Sequence, residues 1–270
     1  RECDLPSSKG PSQVVPPAAI RLLRIAVALA ALGAAYVSWF QASSVNSLLF
    51  IELERDEHSA RNLDIAAAIG LCLCAAVLCQ PGRHAARLAS GAAALIGLWF
   101  LALATADQVL HSTAFSHLAL PAAALRIVTP ILLALVLLGR SSRVEFGLRV
   151  AVASTFAVHG YEALCHNPKF LDLIFLNLNS DTGSPLFGEA SARIILDVIG
   201  AVDLLVAGLV LFLRSPALAG YMALWGAVTA LSRCGAMGWE AWPAVAVRMT
   251  HVAGPLALFL LWRPRGIIKR

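Results

Sequence analysis

The sequence predicts an all-α, polytopic membrane protein with eight transmembrane helices arranged as two parallel four-helix repeats. Three observations carry that prediction. The 270 residues are 59% hydrophobic and only 14% charged, against about 45–50% and about 25% in a soluble domain. Apolar runs of near-spanning length, about 20 residues each, recur along the chain. Residues of the first half also return, in the same order, in the second. Such a composition excludes a disordered chain, a coiled coil, a secreted disulfide scaffold and an ordinary cytosolic enzyme.

The apolar runs lie at 19–40, 62–79, 86–106, 118–138, 144–164, 192–213, 217–235 and 244–262. The second and seventh are the shortest or most interrupted. Residues 1–18, with Pro6, Pro11, Pro16 and Pro17 among serines, read as a flexible cytoplasmic tail without a cleavage-like motif after the first run. The first repeat is 19–141 and the second 144–266. With the N-terminus inside, most basic residues fall in inner segments, among them Arg83, Arg87, Arg140, Arg143 and Arg214. That bias places both termini in the cytoplasm. The net charge of +5 then reflects topology. The basic residues form no patch and do not point to nucleic acid.

The repeat is carried by Arg24-Ile-Ala-Val-Ala28 against Arg149-Val-Ala-Val-Ala153, followed by Tyr36 against Tyr161. Leu48–Ile51 matches Leu173–Leu176, Leu63-Asp64 matches Leu196-Asp197, and Pro121…Arg126 matches Pro243…Arg248. Four helices per unit is an even number, so the copies enter from the same side. They are parallel, not inverted, which weighs against an alternating-access transporter. The segments after the first and fifth spans, 41–61 and 165–191, are more than loops, and the apolar residues of the second are too few to span. Apolar residues such as Phe170, Ile174 and Phe175 suit an interfacial or inward-dipping segment, and Asn179–Pro185 reads as a turn.

Ionisable residues inside spans are costly and are functional candidates by default. They concentrate in the second half. His159, Glu162 and His166 share one face of the fifth span. Asp197 and Asp203 lie on the sixth, Arg233 ends the seventh, and Arg248 and His251 enter the eighth. Converging, His159, Glu162, Asp197, Asp203, Arg233, Arg248 and His251 form a polar pocket for a substrate or quinone. His159, His166 and His251 are also candidate metal or haem ligands. The alternative is mutual pairing: Arg248 with Asp203 or Asp197, Arg233 with Glu240, and Arg126 with Asp107 or Asp64. In the first half His159, Glu162, His166 and Asp203 are replaced by Ala34, Val37, Gln41 and Gly70, so that half reads as scaffold.

The acidic run Glu52–Glu57 with His58 reads as a solvated loop, and His111 and His117 as surface residues. Cys72, Cys74 and Cys79 read as small apolar packing groups. Cys165 and Cys234 both fall at outer helix ends, where an oxidising compartment would permit a disulfide. The chain has no P-loop, dinucleotide fingerprint, nucleophile elbow or zinc-protease motif.

The second half resembles the DoxX-like family of small four-helix membrane proteins. The resemblance runs through Arg149, Phe156-Ala-Val-His-Gly160, Ala163-Leu164, Pro168 and Phe170, then Ile199-Gly200-Ala-Val-Asp203-Leu204-Leu205, Trp225 and Thr229–Arg233. It covers 144–262 and, through the repeat, extends faintly over 19–140. It implies a four-helix unit and a quinone or redox association. It also implies a bacterial inner-membrane location and a role as a subunit that anchors or assists other protein subunits. A small-molecule permease and a haem- or metal-binding membrane oxidoreductase are the alternatives.

Overall fold

The computed structural model describes residues 15–111, 114–178 and 188–264, and of Arg83 and His84 the backbone alone. Most of the 1–18 tail and the Asn179–Pro185 turn lie outside the described residues. Every regular element among the described residues is helical. The helices are α1 (Pro17–Phe40), α2 (Ser44–Ile51), α3 (Glu57–Cys79), α4 (Arg83–Val109), α5 (Ala119–Ala122) and α6 (Ala124–Leu137). They continue as α7 (Val144–Leu164), α8 (Pro168–Leu178), α9 (Glu189–Phe212), α10 (Pro216–Met237), α11 (Trp242–Val247) and α12 (Met249–Trp262).

Five segments are long and apolar enough to cross a membrane: Pro17–Ile51, Glu57–Cys79, Ala85–Val109, Ser116–Leu137 and Glu189–Phe212. A sixth is added if α11 and α12, bent by 46° at Arg248, act as one broken span. The second span, read as weak in the sequence, is thus apolar enough. The fifth and seventh, α7 and α10, fall short. They have the length, but α7 carries Glu145, Arg149, His159 and Glu162, and α10 carries Trp225, Ser232 and Arg233.

The packing is that of a chain surrounded by lipid. Alanines fill much of the interior: Ala19, Ala30, Ala31, Ala89, Ala93, Ala219 and Ala257 are fully enclosed. Large side chains such as Ile25, Leu88, Ile194, Leu205 and Phe212 face outward with more than half their surface open. Small residues let helix axes approach, and dispersion replaces the hydrophobic drive. An outer surface this apolar would be an aggregation hazard in water. The tightest crossing joins α7 and α9. A Cβ on Gly160 would meet the Gly200 carbonyl oxygen at 2.9 Å, and one on Gly200 would meet the Gly160 oxygen at 2.7 Å.

Within each half the first long helix packs on the next, α1 on α3 and α7 on α9, and the third packs on the fourth, α4 on α6 and α10 on α12. Between halves, α1 lies along α11 and α12, and α6 lies along α7. Gly33 permits the first contact: a Cβ there would meet the Pro243 carbonyl oxygen at 2.7 Å.

Arginine caps fix one end of the bundle. Arg24 Nε donates to the Leu78 carbonyl at 2.8 Å, and its guanidinium also reaches Gln80, so it satisfies the last carbonyls of α3. Arg149 does the same for α9, donating to Val210 at 3.0 Å and to Leu211. Glu145, buried beneath, accepts from Arg214 Nε at 2.7 Å and from the Trp262 indole at 3.0 Å. At the other end, Asp64 is fully buried and accepts from the Ser43 backbone N–H at 3.0 Å and from its hydroxyl. The acidic run at 52–57 is exposed, as are His111 and His117.

Candidate functional site

The second half encloses a cavity of about 410 Å³. That is within the usual range for small-molecule sites, about 300–1,000 Å³. It exists because α9 and α10 touch only briefly, whereas their counterparts α3 and α4 pack side by side. The short helix α8 crosses the gap, contacting both α9 and α10. Asn177 tethers it: its amide donates to the Leu173 carbonyl at 2.7 Å and to Ser232 on α10 at 2.9 Å. Pro168 starts α8, and the Asn167 side chain accepts from the Lys169 N–H at 3.1 Å. His166, with φ at 51°, ends α7 and turns the chain into it.

Five of the seven sequence-predicted residues line this cavity: His159, Asp203, Arg233, Arg248 and His251. They come from α7, α9, α10 and the α11–α12 break. His159 and His251 face one another with ring centroids 6.1 Å apart. Glu162 lies behind, buried, with Oε2 3.3 Å from His159 Nδ1. Asp197 is placed elsewhere: half-exposed, it meets His166 Nε2 at 2.9 Å outside the cavity. Its position on α9, six residues and almost two turns before Asp203, carries it out past the end of α7.

The remaining wall is apolar or aromatic: Phe156, Phe170, Leu173, Ile174, Ile199 and Trp225. Phe170 packs edge-on against His159 at 6.0 Å. Sequence reasoning did not assign Thr155, Asn177, Trp225, Thr229 or Ser232 to the site. The signal available for them was the four-residue spacing of Trp225, Thr229 and Arg233, which puts all three on one face of α10. Two buried polar atoms on this wall, Asp203 Oδ1 and His251 Nδ1, have no hydrogen-bond partner among the described residues. Buried polar groups are almost always satisfied, and these two are exceptions beside the cavity.

The mutual-pairing alternative does not form. Arg233 donates to the Thr229 carbonyl of its own helix, and Arg248 to the Ala244 carbonyl at 3.0 Å. Neither reaches a carboxylate, and Arg126 Nε is buried without a partner among the described residues. Ser43 occupies Asp64, and the Ser44 hydroxyl donates to Asp107. Cys165 and Cys234 are free thiols, so the disulfide is not formed. His166 is drawn off to Asp197. Among the described residues no group of three His, Cys, Asp or Glu side chains stands together as a metal site.

A second cavity, of about 590 Å³, lies between the first half and α11. It is more polar, with Ser43, Ser44, Gln41, Asp107, Glu240 and Arg126 on its wall, and Arg248 lines both cavities. Ala123 (φ −85°, ψ 2°) and Arg248 (φ −88°, ψ 1°) interrupt the last helix of each half in the same way. Counted from the break, Pro130 stands where Pro255 does and Arg126 where His251 does.

Searches against family models, curated proteins and solved structures find no match to this chain. The DoxX-like resemblance therefore gains no support from them, and the functional argument rests on the geometry.

Proposed function

We propose that the chain is an integral membrane protein of DoxX-like type, and that its second half binds a lipid-soluble quinone. On this reading it has eight spans in two parallel repeats and lies in a bacterial inner membrane with both termini cytoplasmic. The first half is scaffold and a lateral surface for other protein subunits. The observation that carries the ligand is the cavity of the second half. It offers guanidinium and imidazole donors, two unpartnered buried polar atoms and an aromatic wall inside an apolar bundle. A quinone ring needs that combination: donors for its two carbonyl oxygens, aromatic faces for the ring and an apolar approach for its tail. Arg233, Arg248 and His251 are the donors, and Asp203 is a carboxylate within the same space. Phe156, Phe170 and Trp225 supply the ring faces.

The repeat is supported by equal work at matched positions. Arg24 and Arg149 each cap the neighbouring helix. Asp64 and Asp197 each hydrogen-bond the segment that follows the first long helix of their half. α2 and α8 are short helices at the same place, and both halves end in a broken helix.

The test is quinone titration of protein purified in mild detergent, read by tryptophan fluorescence and by extraction of bound quinone. Saturable binding near one equivalent is expected. It should weaken about tenfold or more in a His159→Ala, His251→Ala double variant, since each removed polar contact is worth about 1 kcal/mol or more. Equal binding by the double variant overturns the reading. A visible spectrum of the same sample reports on the haem alternative: a Soret band lost in that variant would replace quinone by haem.

A further inference from the structure

We infer that the second cavity is an oxyanion site, taking a phosphate or carboxylate group between Arg126 and Arg248. The inference concerns a different cavity from the quinone pocket, sharing only Arg248 with it. Its basis is the accounting of buried cations. Arg126 and Arg248 both line this cavity, and Arg233 is close enough to interact electrostatically with both. No ion pair joins any of the three to a carboxylate among the described residues. Arg248 has a carbonyl of its own helix as its bonded acceptor, and Arg126 Nε has none.

A guanidinium held inside a helix bundle without a counter-charge is expensive, and chains that keep one use it. Nearby acids do not neutralise it by contact. Asp107 is within electrostatic range of Arg126 but accepts the Ser44 hydroxyl instead. Glu240 sits on the exposed rim. The planar fork of arginine matches two oxygens of a phosphate or carboxylate. Gln41 on the same wall adds a neutral polar contact.

The anion can be free or can be the head group of an anionic lipid, and the test separates them. The wild-type protein and Arg126→Gln, both in nonionic detergent, are heated with inorganic phosphate, with acetate, or with a short-chain phosphatidic acid, each against chloride at equal ionic strength. A ligand that binds only the folded state raises the melting midpoint saturably. We expect at least one of the three to do so in the wild type. Phosphate or acetate alone identifies a free anion, and the lipid alone identifies a head group. In Arg126→Gln the affinity should fall about tenfold or more, the loss of charge-assisted hydrogen bonds.

The ligand-free midpoint of Arg126→Gln should stay level or rise, because the substitution removes an unpaired buried charge. A merely structural arginine would give the opposite sign. Quinone titration should be unchanged in this variant, since Arg126 does not line the other cavity. No midpoint shift with any of the three anions overturns the inference. So does a shift that Arg126→Gln retains, or a ligand-free midpoint that falls.

Discussion

The two halves solve the same packing problem with different interiors. In the first, α3 and α4 lie against each other, and Gly70 on α3 has open space around it. In the second, α9 and α10 part, α8 bridges them, and the corresponding residue is Asp203, buried at the wall of the cavity. At the third position after the helix break the first half carries Arg126 and the second His251. Arg126 lines the cavity between the halves, and His251 the cavity of the second half. The two halves thus show like helix-on-helix contacts and differ in a handful of side chains at their cavities.

The largest test of this contrast is steric. Gly160→Val or Gly200→Val forces α7 and α9 apart, because backbone oxygen stands 2.9 Å or less from each new Cβ. Overpacking of this kind costs about 1–3 kcal/mol, and backbone cannot yield as a side chain can. Gly70→Ala, with nothing within 4 Å, should leave the melting midpoint unchanged or raise it through helix propensity. Equal losses at Gly70 and Gly160 would show that the close crossing is no special property of the second half.

Next in size are exchanges of chemistry between halves. His159→Ala with Asp203→Gly gives the second cavity wall the residues of the first. Quinone binding should drop about tenfold or more. Stability should fall by no more than about 1 kcal/mol, since Asp203 leaves one buried oxygen unsatisfied. The converse, Ala34→His with Gly70→Asp, should not create binding, because α3 and α4 leave no gap to fill. A variant that gains binding would break the argument that helix spacing, not residue identity alone, makes the site.

These contrasts show what was legible in the sequence. The all-helical, apolar character of the chain and the concentration of polar residues in the second half could be read from spacing and type. Convergence of His159, Asp203, Arg233, Arg248 and His251 could be anticipated from their common depth. The failures have one cause. Periodicity gives the face of a helix but not its distance from the next. Asp197 therefore looked equivalent to Asp203 although it lies beyond the cavity, and arginines that look pairable on paper end up facing carbonyls.

A smaller effect sharpens the repeat itself. Arg24→Met and Arg149→Met each strip the capping donors from a helix end. Each should cost about 1–3 kcal/mol, the range for hydrogen bonds from a charged group. Arg149 has a second role beside Glu145, at 3.8 Å, and over the Trp262 ring, so its loss should be the larger. Thermal unfolding in detergent decides this. A loss at one position only would remove the functional equivalence on which the repeat reading leans.

The smallest expected difference lies where the second long helix of each half begins. Asp56 caps α3, its carboxylate accepting the Ser59 N–H at 2.8 Å, while α9 starts at Gly188 with no side-chain cap. The Ser59 hydrogen bonds hold the Asp56 carboxyl below its ordinary value of 3.8. A carboxyl so depressed stabilises the folded end above its unfolded pKa, and the contribution is lost as pH falls through the lower folded value. The start of α3 should therefore fray in acid, with amide exchange there rising by less than about fivefold in Asp56→Ala at neutral pH. The start of α9 has no capping carboxylate, only the exposed Glu189–Arg193 pair, so its acid step should be smaller. Gly188→Asp should enlarge it, since Gly188 is extended, with φ −80° and ψ 167°, a conformation open to any residue. If Gly188→Asp instead leaves the acid step of α9 unchanged, the two helix starts differ in more than the identity of the cap.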